Sequence, residues 1–173
     1  RRAGRDAAFA AGGLALVLGV ASRAPESSWH TGTLLALAVT AFGLARLTGA
    51  LAFTWVGAAL ALLGMVHVGV FTWAVKPERF SVEVALLAHA TLMTVAAVLC
   101  RRQRRVFGDP LRGAARVVSA LAVPLLFFPS FGWALPTAGL AVWLGAVWLA
   151  FVLLWRERGA FGAFQAALTL ASL

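Results

Sequence analysis

The sequence predicts an all-α protein: a polytopic transmembrane helical bundle of about seven segments joined by short loops, with its N-terminus in the cytoplasm. Three observations predict this. Apolar runs recur along the whole chain, arginines gather in alternate gaps between them, and tryptophans stand near their ends. Composition sets the class. The 173 residues are 62% hydrophobic and 12% charged, where a soluble domain carries about 25% charged residues. So little charge cannot clothe a water-soluble core, which excludes soluble, disordered, fibrous and disulfide-scaffold proteins.

The runs fall at 7–22, 31–45, 50–75, 82–100, 115–128, 137–155 and 160–173. The third, fourth and sixth are long enough to cross a bilayer. The first and second are short, and must recruit flanking residues or sit in thin membrane. As a helix the last run reaches only ~21 Å, against a hydrocarbon core of ~30 Å. Position 1 is Arg. Residues 1–173 are therefore expected to form a single integral-membrane helical domain that is part of a longer polytopic chain. Residues 7–21 have the apolarity of a signal-peptide core, but nothing after them suggests cleavage.

Loop charge tests this division independently. With the N-terminus inside, the inner gaps hold Arg1, Arg2, Arg5, Arg46, Arg101, Arg102, Arg104, Arg105, Arg112, Arg116, Arg156 and Arg158, and the outer gaps hold Arg23, Lys76 and Arg79. Twelve against three obeys the positive-inside rule, and removing one interior segment would spoil the bias. Because the basic residues are parcelled between apolar runs, the net charge of +9 reads as membrane topology and not as a nucleic-acid surface. Ile, Asn and Tyr are absent and Lys76 is the only lysine. A GC-rich genome produces that pattern, and the expected location is a bacterial plasma membrane.

Short loops predict antiparallel neighbours. Only 101–116 is sizeable, with Gly108-Asp109-Pro110 marking a turn inside it. Beyond setting topology, Arg101, Arg102, Arg104 and Arg105 are candidate contacts for anionic lipids, at about 1 kcal/mol per basic residue near a charged leaflet. The expected partners are the bilayer, anionic lipids of the cytoplasmic face, and further transmembrane segments or subunits. Gly57, Ala61 and Gly64 form a small-residue stripe suited to close helix packing. Pro124 should kink the fifth helix. The single cysteine, Cys100, excludes an internal disulfide.

Ionisable groups inside a membrane default to a functional hypothesis. Here they are His67, His89 and Glu83. Glu78 centres the loop between the third and fourth runs, and the two histidines lie eleven residues before and after it. Equal spacing on antiparallel helices predicts equal depth, ~12 Å or more from the outer surface. A haem b held between His67 and His89 is the sharp reading. The plain reading is an interhelical hydrogen bond from each imidazole to Thr54, Thr72, Thr91 or Thr94. Glu83 lies about one turn inside the outer end, where Lys76 or Arg79 could pair with it.

In the first outer loop Glu26 and His30 are four apart; an outer-loop acid could coordinate or deprotonate for an enzyme acting on a lipid-linked substrate, while the plain reading is a solvated loop. No HExxH, GxSxG, nucleotide-binding glycine loop or paired intramembrane Asp occurs. Three expectations follow: a structural or translocation-type membrane bundle, a haem-binding redox subunit, and an outer-face enzyme. The first leads, on the close-packing glycines, the scarcity of intramembrane polar groups and the expectation that the chain is part of a longer one.

Overall fold

The computed structural model describes residues 28–69, 79–127 and 134–171. Of these, 96% are helical, and there are no strands among them. The first apolar run, with Glu26, Lys76 and Glu78, lies outside the described residues.

The first helix described, α1 (Ser28–Thr48), ends where Gly49 takes a positive φ of 68°. Its N–H bonds to Ala45 O at 2.9 Å. A left-handed residue just past a helix closes its last turn, and glycine adopts that conformation without steric cost. The chain reverses at once into α2 (Leu51–His67). The expected small-residue stripe lies against α1: a Cβ built on Gly57 would stand 2.9 Å from the Phe42 ring, and one on Gly64 would stand 2.9 Å from Leu35 Cδ2.

The fourth run forms α3 (Arg79–Leu99). It leads into a 3-10 turn at Arg101–Gln103, a π turn at Arg104–Gly108 and then α4 (Asp109–Phe127). The sizeable loop expected here is therefore helical throughout, and Gly108-Asp109-Pro110 is the entrance to α4 instead of a turn within a loop. The physical reason lies in the same residues. An acid and a proline suit the first turn of a helix, where the carboxylate meets unpaired N–H groups and proline has no N–H to leave unpaired. Arg112, one turn on, lies 3.4 Å from Asp109 and carries α4 through its polar start.

Next comes α5 (Ala134–Trp155). Arg156, at a φ of 55°, turns the chain into α6 (Arg158–Ala171). Helices neighbouring in sequence pair as α1 with α2, α3 with α4 and α5 with α6, while α2 joins the first two pairs and α3 also packs on α5. Pro124 lies inside α4.

Half of the buried apolar positions are alanines, packed among larger side chains such as Leu87, Leu126 and Phe151. Ala45, Ala58, Ala90, Ala97, Ala115, Ala122 and Ala141 are buried, with Thr54, His89, Thr94 and Ser119 as the buried polar groups. Large apolar side chains such as Val39, Leu63, Leu92, Val95, Val117, Leu121, Val142 and Leu153 point outwards. So many large apolar side chains on the exterior are unlike a water-soluble surface, and the buried alanines suit helices whose close contacts depend on small surfaces. Three helical stretches, His30–Thr48, Val82–Leu99 and Ala138–Trp155, are long and apolar enough to cross a membrane. The apolar helix Leu51–His67 is shorter.

Candidate anionic-lipid interface

The three hairpin turns bring together arginines that are far apart in sequence. Arg46 on the last turn of α1 lines a hollow of about 440 Å³ with Arg102, Gln103, Arg104 and Arg105. Ala45, Gly49, Val106 and Phe107 complete its walls. On the other side of Arg104, a second hollow of about 430 Å³ lies between the 101–112 region and the end of α5, and Arg101, Arg112 and Arg156 line it with Asp109. Arg79 stands at the opposite end of α3, twenty residues before Leu99. That is ~30 Å of helix. The described bundle thus has one arginine-rich end.

Local backbone geometry fixes this end. Thr54, fully buried in α2, donates through Oγ1 to Val106 O at 2.7 Å and pins the π turn to the bundle. The amide of Asp109 closes that turn on Arg104 O. Arg101, Arg102, Arg104 and Arg105 are exposed, as a lipid-contacting set requires. The two carboxylates described at this end are both paired. Asp109 lies 3.2 Å from Arg104 and 3.4 Å from Arg112. Glu157, in the turn between α5 and α6, accepts from Arg116 Nε at 2.7 Å and pairs with Arg116 Nη2 through the same oxygen. Its other oxygen is 3.9 Å from Arg112 Nε, beyond hydrogen-bond length. The Arg112 guanidinium also sits 5.9 Å above the Trp155 ring, a cation–π distance.

The histidines are placed separately. His67 Nδ1 lies 2.8 Å from Thr31 Oγ1, and its ring packs 5.9 Å from that of His30. His89, only 1% exposed, donates through Nε2 to Ala58 O at 2.9 Å. Ala58 precedes His67 by nine residues on α2, or ~13.5 Å along the axis. The two imidazoles therefore do not share one depth. Equal chain distance from a loop becomes equal depth only when both arms climb at the same rise and tilt. His89 Nδ1 is buried without a hydrogen-bond partner. Among the described residues, no three His, Cys, Asp or Glu side chains are grouped to hold a metal ion. Glu83 is half-buried near the start of α3.

Of the threonines expected as histidine partners, Thr72 lies outside the described residues, and Thr54, Thr91 and Thr94 bond elsewhere. Thr91 donates to Leu87 O and accepts from Trp143 Nε1 at 2.9 Å, while Thr94 bonds Ala90 O. Trp148 Nε1 donates to Ser119 Oγ at 3.1 Å. The two deep tryptophans of α5 are thus polar ties to α3 and α4 as well as packing groups. Sequence reasoning named Asp109 only as part of a turn and did not single out Glu157. Their signal was present nonetheless, since each is a lone acid set among arginines. Arg46 entered only as a topology charge.

No family model matches the chain, and neither a curated protein nor a solved structure matches it.

Proposed function

We propose that this chain is a multi-pass helical domain of a bacterial-type plasma membrane, structural or translocation-type in role, whose arginine-rich end faces the cytoplasm and rests on anionic lipid headgroups. The carrying observation is the gathering of Arg46, Arg101, Arg102, Arg104, Arg105 and Arg156 around two adjoining hollows at one end of a bundle with an apolar exterior. Cationic side chains on the inner side satisfy the positive-inside bias and the negative potential of that leaflet together. A scaffold role is supported by the interior polar groups, since Thr54, Thr91, Thr94 and Ser119 are spent on bonds within or between helices.

The test uses the single native cysteine. In a Cys100→Ser background, Gln103→Cys introduces an exposed thiol at the arginine-rich end. A membrane-impermeant maleimide should leave it unlabelled in intact cells and label it after permeabilisation. Labelling in intact cells would reverse the orientation, and release of the protein by alkaline washing would remove it from the membrane altogether.

A further inference from the structure

We infer that the hollow between the end of α1 and the 102–107 turn is a selective site for a phosphate-bearing lipid headgroup with two or more negative charges. The inference rests on the lipid-facing reading of this end and adds a ligand class and a discriminating residue, Arg46.

The two arginine-lined hollows differ in charge balance. The one bounded by Arg101, Arg112 and Arg156 contains Asp109, which pairs with Arg104 and Arg112. The one bounded by Arg46, Arg102, Arg104 and Arg105 has no carboxylate in its lining; Arg104 is shared with Asp109, which leaves Arg46, Arg102 and Arg105 to be balanced. One anionic charge cannot balance that set. A phosphomonoester carries ≈ −1.5 to −2 near neutral pH, and paired phosphates carry at least as much. Guanidinium forks match phosphate oxygens with parallel hydrogen bonds, a geometry that lysine does not offer.

The site is built before any ligand arrives. The buried Thr54 hydroxyl holds the Val106 carbonyl, the Gln103 amide bonds Cys100 O at 2.9 Å, and Phe107 closes the floor at 8% exposure. The left-handed Gly49 swings α1 into α2 so that Arg46 ends beside the turn. Arg46 also stands at a helix C-terminus, where the carbonyl dipoles favour a cation. At about 440 Å³ the hollow falls within the ~300–1,000 Å³ range of ligand clefts. The large exposed side chain of Leu47 lies next in sequence to Arg46, so acyl chains would meet an apolar surface beside the headgroup.

The test titrates purified full-length protein in detergent with phosphatidate and with phosphatidylglycerol of the same acyl chains, read by native mass spectrometry. Phosphatidate should bind at least about fivefold more tightly, the effect of one additional charge contact. Arg46→Gln and Arg105→Gln should each bring the ratio of the two affinities to about one. Arg158→Gln, which removes the same charge from an exposed position outside both hollows, should leave that ratio unchanged. Circular dichroism and size-exclusion profiles establish that each variant is folded. A wild-type ratio near one, or an unchanged ratio in both hollow variants, overturns the site. Inorganic pyrophosphate serves as the soluble phosphate probe and should not displace phosphatidate at equal concentration; displacement would assign the hollow to a soluble phosphate and overturn the lipid assignment. Lost selectivity with correct Gln103→Cys labelling removes the site and leaves the orientation standing. External labelling with intact selectivity does the reverse.

Discussion

Arg116, on the second turn of α4, reaches across to Glu157 in the turn that joins α5 to α6, and both its Nε and its Nη2 address the same carboxylate oxygen. The acid is nearly covered at 14% side-chain exposure, while Arg116 is about half exposed. With Arg112 alongside over Trp155, this one carboxylate ties two hairpins together at their arginine-rich end. Glu157→Gln should therefore lower stability by about 1–2 kcal/mol, between the values for exposed and buried ion pairs. Thermal unfolding in detergent at low and high salt checks this. Most of the difference should persist in high salt, because the acid is shielded; an unchanged midpoint in both would show that the pair contributes nothing.

The Phe42–Gly57 contact predicts a steric cost on α2. Gly57→Leu should destabilise the α1–α2 hairpin by about 1–3 kcal/mol through overpacking. Gly43→Leu is the matched control, since a Cβ there has open space. Phe42→Leu in the Gly57→Ala background should recover part of any loss. Equal stability of the two leucine variants would refute the close approach.

Trp143 and Thr91 allow a cleaner energetic measurement. Their hydrogen bond joins α5 to α3, and interhelical bonds of this kind in a membrane protein average ≈ 0.6 kcal/mol with a maximum near 1.7. A double-mutant cycle of Trp143→Phe and Thr91→Val should return a coupling energy in that interval. A coupling of zero would mean that the indole N–H finds another acceptor in the folded protein.

His89 fills a buried position against Ala58. Its replacement by alanine removes one interhelical bond and leaves a small cavity, so a loss of about 2 kcal/mol is expected. His89→Gln, which retains a donor, should lose less. Because His67 and His89 are held by different partners at different depths, the oxidised and dithionite-reduced protein should show no haem absorbance that depends on this pair. A Soret band abolished by either alanine variant would restore the two imidazoles as axial ligands.

The helices were legible in the sequence because apolar runs and charged gaps are local properties. The second, fourth and sixth runs reappear as α1, α3 and α5, each extended by a few polar or small flanking residues. The arginine bias was legible for the same reason, as it depends only on which gap a residue occupies. Neighbours across the bundle were not. Nothing near position 46 announces that Arg46 will border Arg105, and nothing near 116 announces Glu157. The histidines show the limit most clearly. Their spacing about Glu78 is regular, yet relative depth depends on helix tilt and loop path, which the intervening residues do not encode. Thr31 and Ala58 became their partners through packing over 36 and 31 residues of separation.

The three hairpin turns, at Gly49–Ala50, at 101–108 and at Arg156–Glu157, also bear on how the chain assembles. Each joins helices that contact one another directly, so many of the packing contacts link neighbouring elements. Topologies dominated by local contacts close small loops first and fold quickly for their size. Each helical pair can form as a unit during synthesis, before the polar ties from Trp143 and Trp148 lock the pairs together. Slow steps should then belong to docking between hairpins, and substitutions at Trp143, Trp148 or Glu157 should alter assembly rates more than substitutions within a single hairpin such as Gly57.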